Sequence, residues 1–256
     1  MTTLLQVDGL SVAFGGIRAV DGVSFAVDGG AIFGIIGPNG AGKTTMFNLI
    51  SRIYAPASGR IMFDGRDITG VPPHRIAGLG IARTFQNIEL FDQATVTENL
   101  LLGCHCKRRP QLLAELLHLP SVRSIERENY RKIEEIIEFT NLRRYRSALV
   151  GGLPYGVKKI VELARALCGE PRLLLLDEPS SGLNVEETEQ IGFKLEDIRD
   201  VYGTTIVMIE HDMGLVGDVC DSVVALNHGR VLASGSFTAV QAHPEVVEAY
   251  LGGVLE

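Results

Sequence analysis

The sequence predicts an α/β protein: a buried, mostly parallel sheet, an antiparallel β segment before it, and a helical insertion within it. Three observations predict this. First, the apolar run Ala31-Ile32-Phe33-Gly34-Ile35-Ile36 leads into Gly37-Pro38-Asn39-Gly40-Ala41-Gly42-Lys43-Thr44-Thr45 and then into a helical pattern, Met46–Ile50. That is strand, glycine-rich loop, helix. Second, strand-like and helix-like runs alternate after residue 170, as they do in parallel sheets. Third, the pattern from about Thr97 to Leu167 is helical, with Leu112, Leu113, Leu116 and Leu117 on one face and Ile133, Ile136 and Ile137 on another.

The elements follow in order. Leu4–Val7, Ser11–Phe14, Val23–Val27 and Ala31–Ile36 read as short strands, with Gly9, Gly15-Gly16, Asp21-Gly22 and Asp28-Gly29-Gly30 as turns. Gly59–Phe63 is a strand closed by an Asp64-Gly65 turn, and Ile81–Thr84 is another. Glu126–Glu138 carries both charge signs, as a solvated helix face does. Leu173–Leu176, Thr204–Ile209, Ser222–Leu226 and Arg230–Ser234 are strands; Glu186–Arg199, Met213–Val219 and Pro244–Leu251 are helices. No repeat, low-complexity tract or linker is visible. One domain is expected over 1–256, with a core of 1–91 and 168–256 and a helical subdomain of about 92–167.

Composition narrows the function. Of 256 residues 46% are hydrophobic and 21% charged, as in ordinary globular proteins. The net charge of −7 disfavours a nucleic-acid binder, whose surface is usually basic. No apolar run approaches the roughly 20 residues of a membrane-spanning helix, and no secretory signal is expected at Met1–Gln6. The four cysteines, Cys104, Cys106, Cys168 and Cys220, are too few and scattered for a disulfide framework, which favours a reducing, cytoplasmic setting. Cys104-His105-Cys106 has the wrong ligand spacing for a metal site and reads as a helix end. Lys107-Arg108-Arg109 reads as a solvated basic loop.

The loop Gly37–Thr45 has the Gly-x-x-x-x-Gly-Lys-Thr spacing of a phosphate-binding loop. Its glycines let backbone N–H groups curl around phosphate oxygens, and the following helix N-terminus adds partial positive charge. Lys43 can reach β- and γ-phosphates and the Thr44 hydroxyl can bind Mg²⁺. A nucleoside triphosphate is the expected ligand. Leu173-Leu174-Leu175-Leu176-Asp177-Glu178 places two carboxylates where a buried strand ends, at the sheet edge where ligands bind. Asp177 is a candidate for the Mg²⁺ shell, and Glu178 for the base that deprotonates or orients a water.

With these motifs in place, the chain resembles the ATP-binding cassette family, the nucleotide-binding subunits of ABC transporters. The resemblance covers nearly the whole sequence. It implies a P-loop NTPase fold with a RecA-like core, an N-terminal antiparallel β subdomain and an inserted α-helical subdomain. Gln86, in Arg83-Thr84-Phe85-Gln86, matches the family's Q-loop glutamine, which senses Mg²⁺ and the membrane partner. Leu153-Pro154-Tyr155-Gly156-Val157 falls at the signature motif, Ser180–Asn184 is similar to the D-loop, and His211 matches the switch histidine. Phe14 is a candidate for stacking on adenine. Two departures stand out. Pro154 replaces a serine whose hydroxyl touches phosphate, with Val157 for the usual Gln, and Asn184 replaces the usual Asp.

The resemblance implies an ATPase that works as a head-to-tail dimer, with the same or a similar chain, around two ATP molecules and Mg²⁺. Integral permease subunits would dock near Gln86–Leu102, and an external solute-binding protein would act indirectly. Phe14–Val20, Arg83–Asn87, Val96–Leu100, Gly182–Asn184, Ile209–Met213 and Ala249–Gly252 are most similar to the ATP-binding subunits of branched-chain amino acid importers. Importers of urea, amides or other polar solutes use similar subunits, and an exporter subunit stays open. A non-transport ATPase of the family is disfavoured. Translation factors of this type usually carry two cassettes, and repair ATPases insert a long coiled coil; this chain has one motif set and no sustained heptads.

Overall fold

Runs of consecutive apolar residues cannot leave one face in water, and here they become strands buried on both faces: β3 (Ile32–Ile36), β7 (Leu173–Asp177) and β8 (Thr205–Ile209). The computed structural model describes residues 2–85, 88–104 and 120–251. The chain divides into two units, Met1–Ile76 with Arg172–Glu256, and Ala77–Pro171.

In the first unit, β9 (Ser222–Asn227) and β10 (Arg230–Gly235) join these strands in the order β10-β9-β3-β8-β7. The pairs β3–β8, β3–β9 and β7–β8 are parallel, and β10–β9 is antiparallel. A second, antiparallel sheet runs β2-β1-β4-β5, built from β1 (Thr3–Phe14), β2 (Ile17–Asp28), β4 (Ser58–Phe63) and β5 (Arg66–Asp67). The Phe25 ring of β2 stacks on Phe33 of β3, with centroids 5.3 Å apart. Helices α1 (Lys43–Ile50), α2 (Pro73–Ile76), α6 (Val185–Tyr202), α7 (Met213–Val219), α8 (Phe237–Gln241) and α9 (Pro244–Leu251) complete the unit.

The antiparallel segment corrects the sequence reading. Gly15-Gly16, at φ +55° and +88°, is the expected two-residue hairpin turn. Gly9 and Gly22 are not turns. Strands β1 and β2 run straight through them, and the pairing shifts register between Val7 and Leu10 and again between Leu10 and Val12. A bulge takes an N–H out of the ladder, and serine hydroxyls replace the lost partners. Ser24 Oγ accepts the Gly9 N–H and Ser11 Oγ accepts the Gly22 N–H, each at 2.8 Å.

The second unit holds β6 (Ile81–Arg83), α3 (Val96–Gly103), α4 (Pro120–Phe139) and α5 (Tyr155–Leu167). Ile133, Ile136 and Ile137 of α4 are buried, as their spacing requires. Leu112, Leu113, Leu116, Leu117 and the Lys107–Arg109 cluster lie outside the described residues. A capping box opens α3, with the Thr95 side chain accepting the Glu98 N–H and the Glu98 carboxylate accepting the Thr95 N–H. Helices α3 and α5 cross at Gly103, where an added Cβ would lie 2.9 Å from Cys168 Cβ and closer still to the Arg165 carbonyl oxygen. Gly103→Ala is therefore expected to destabilise the protein by about 1–3 kcal/mol, the usual cost of overpacking. A lowered urea midpoint with an unchanged slope checks it.

Candidate nucleotide site

Strand order decides where the predicted residues meet. Strand β8 lies between β3 and β7, and all three are parallel. Ile35, Ile209 and Asp177 stand level across them, with Ile209 paired to both. The glycine-rich loop after β3, Asp177-Glu178 at the end of β7 and Glu210-His211 after β8 thus leave the same sheet edge. Residues 37, 177, 178 and 211, distant in sequence, converge there.

The loop itself is shaped by backbone only glycine tolerates. Gly42 has φ +101°, and an added Cβ would clash with the Ala19 carbonyl oxygen. A Cβ on Gly37, at φ +149°, would clash harder still with the Leu226 carbonyl oxygen. The Gly229 N–H donates to Ala41 O at 2.9 Å, tying the loop to the β9–β10 turn. Asn39 and Gly40 are exposed at its tip, and Pro38 is half-buried. Helix α1 starts after left-handed Gly42 with no side-chain cap, so its first turn presents backbone N–H groups to an anion. Lys43 is 6% exposed, and its Nζ donates to Gly37 O at 2.7 Å and Pro38 O at 3.0 Å. Burial lowers the Lys43 pKa, and the Glu178 and Asp177 carboxylates partly restore it. Thr44 is exposed and Thr45 half-buried.

Asp177 is 3% exposed at the end of β7. Glu178 follows with φ +52°, a conformation that non-glycine residues adopt uncommonly. Its N–H donates to Ile209 O at 2.9 Å, and its Oε1 stands 3.2 Å from His211 Nε2. Two predicted catalytic groups are thus in direct contact.

The sequence reading missed two residues here. Glu210, 2% exposed, accepts N–H bonds from Ser180 at 2.8 Å and His211 at 2.9 Å. Its only sequence signal is an acid directly after the apolar run Ile206–Ile209. Tyr54 packs edge-on against Phe14, with ring centroids 5.0 Å apart, and both rings are partly exposed. A two-ring platform therefore stands where one aromatic is predicted.

The D-loop departure keeps a helix cap that an Asp would supply equally well. Asn184 caps α6, accepting the Glu187 N–H at 3.0 Å in a capping box. In the second unit Pro154 is the residue before α5 rather than in its first turn, with φ −55° and ψ 151°, and its carbonyl accepts the Lys158 N–H at 3.0 Å. Tyr155 is exposed and Gly156 half-buried at that helix start. Gln86 lies outside the described residues, as do His105 and Cys106. Beside Gln86, the Phe85 N–H donates to buried Glu162 at 3.4 Å, and burial raises the Glu162 pKa.

A sequence family described as ABC transporter matches residues 20–181, which contain the glycine-rich loop, Asp177 and Glu178. The chain belongs to the ABC transporter family. A second family, described as branched-chain amino acid ATP-binding cassette transporter, matches residues 230–255. Among curated relatives, the high-affinity branched-chain amino acid transport ATP-binding protein BraF of Pseudomonas aeruginosa is 41% identical, over 97% of this chain and 98% of its own. LivG of Escherichia coli, of the same description, is 38% identical over the same shares. A nucleotide-free ATP-binding cassette from an ABC transporter superposes with a TM-score of 0.85 at 32% identity, covering 97% of this chain and 99% of that one. The ADP conformation of the cassette MJ1267 gives 0.85 at 32%, covering 98% and 100%. The predicted ABC ATPase fold is therefore the observed one, and the cassette binds nucleotide.

Proposed function

We propose that this ABC ATPase is the subunit that powers uptake of branched-chain amino acids through a membrane permease. The contact between Glu178 and His211 at the sheet edge that carries the glycine-rich loop supports the chemistry. Near-full-length similarity to BraF and LivG supports the cargo.

The residues divide the work as follows. Phe14, with Tyr54 beside it, offers a face for adenine. Backbone N–H groups of Gly37–Thr45 and the α1 N-terminus hold the phosphates. Lys43 exchanges its two loop carbonyls for phosphate oxygens, a stronger pairing for a buried ammonium. The donors described fit Mg²⁺, a hard cation that prefers oxygen: the exposed Thr44 hydroxyl and the buried Asp177 carboxylate; the family resemblance alone would add the Gln86 amide. Mg²⁺ bound there would neutralise charge on the phosphate oxygens. Glu178 takes the proton of the attacking water. His211 meets the γ-phosphate and, through Nε2, fixes the Glu178 carboxylate.

The site is completed by a second copy of this chain or a homologous one. Its α5 start, Pro154 to Val157, faces the γ-phosphate with the Gly156 N–H and the helix N-terminus instead of a serine hydroxyl. ATP closes this dimer by binding the closed state better, and hydrolysis removes the bridge. A permease helix docks on the segment after Gln86, where Phe91 is 60% and Leu102 42% exposed. Buried Asn99 steadies that segment by accepting the Phe91 N–H at 2.9 Å and donating to Phe91 O at 3.1 Å. Among the described residues no helix is long and apolar enough to cross a membrane. We place the chain at the cytoplasmic face of the cell membrane, held by its permease.

The cargo is tested by reconstituting the co-purified complex with its solute-binding protein in liposomes. ATP-driven uptake of labelled leucine, isoleucine and valine supports the proposal. Uptake of urea or an amide, with none of leucine, would reassign the cargo and leave the ATPase chemistry in place.

A further inference from the structure

Glu210 is 2% exposed, yet it is a carboxylate. Burying an ionised carboxylate costs several kcal/mol unless its oxygens find donors. Here both oxygens do. Oε1 accepts the Ser180 N–H at 2.8 Å. Oε2 accepts the His211 N–H at 2.9 Å and the Asp212 N–H at 3.4 Å. One carboxylate therefore clips the turn after β7 to the turn after β8.

Two other bridges join the same two strand ends. The Glu178 N–H donates to Ile209 O at 2.9 Å, and His211 Nε2 faces Glu178 Oε1 at 3.2 Å. Between the bridges lies Glu178, at φ +52°. That left-handed backbone is unfavourable for an L-residue and persists only where its surroundings hold it. The Ser181 N–H closes the turn on Glu178 O at 3.1 Å, and Ser180, inside that turn, is the residue Glu210 grips. We infer that Glu210 is a positioning residue: it holds the 178–181 turn so that the Glu178 carboxylate stands against His211. The inference rests on Glu178 being the catalytic base.

The chemistry makes an isosteric test informative. A glutamine has one carbonyl oxygen and one NH₂ group, while both ends of the Glu210 carboxylate face N–H donors. Whichever way the amide turns, its NH₂ opposes a donor at one end. Glu210→Gln should therefore release either Ser180 or the His211 turn without removing side-chain volume.

The experiment is a double-mutant cycle on the ATPase reaction, with Glu210→Gln made alone and in the Glu178→Gln background and single-turnover rates measured beside kcat and KM. The expected result is a kcat at least about tenfold lower, the factor that a barrier rise of about 1.4 kcal/mol gives. The KM for ATP should stay unchanged, and the double variant should be no slower than Glu178→Gln alone. Unchanged kcat in Glu210→Gln overturns the proposal. An equal loss in both backgrounds, or a risen KM, also overturns it, because Glu210 would then be acting on the fold or the nucleotide and not through Glu178. Should Glu210→Gln not fold, Glu210→Asp, which keeps both acceptors but retracts them by one methylene, is read by the same criteria. Full turnover by Glu178→Gln itself would instead remove the base assignment on which the inference rests.

Discussion

Glu178→Gln is expected to bind ATP as the unmodified protein does and to turn it over about 10²–10⁴-fold more slowly, the range general-base catalysis contributes. The amide keeps the volume, and its oxygen can still accept from His211 Nε2, 3.2 Å away in the native pair. It cannot take a proton from water. The proposed Lys43–phosphate contacts are untouched, so nucleotide affinity should hold. Filter binding of labelled ATP beside a phosphate-release assay separates the two effects. Full turnover would show that another group takes the proton.

Lys43→Ala is expected to act on the opposite half of the cycle. A charged hydrogen bond is worth about 1.5–3 kcal/mol, so ATP affinity should fall by roughly 10- to 150-fold. Lys43 is 6% exposed and its ammonium is held by Gly37 O and Pro38 O, already inside the loop. Removing it also deprives those carbonyls of a donor, so the empty loop should loosen. Titration calorimetry gives the affinity. An unchanged dissociation constant would mean that the lysine stabilises the loop and does not hold phosphate.

These residues differ in how far the sequence could reveal them. Gly37–Thr45 is legible because its glycines, lysine and threonine lie in one contiguous segment, and its strand and helix flank it directly. Asp177-Glu178 is legible because an all-apolar strand must end at the sheet edge. The meeting of Glu178 with His211 is not written locally, since it follows from β8 lying between β3 and β7. Glu210 was missed for the same reason: its partner Ser180 is 30 residues away, and only the adjacency of two strand ends joins them. Gly9 and Gly22 were misread because a glycine punctuates a turn and a bulge alike, and only the cross-strand serines distinguish them. Tyr54 carries no pattern of its own, and only the fold brings it against Phe14.

In the proposed dimer, one chain holds only half of each ATP site. Sedimentation of Glu178→Gln tests this most directly, without nucleotide, with ADP and with ATP, each with Mg²⁺. The expected result is a shift from monomer to dimer with ATP alone, reversed by Pro154→Glu, which sets a negative charge against the partner's phosphate. ATP binding at full stoichiometry to a chain that stays monomeric, with wild-type turnover per chain independent of protein concentration, would contradict it.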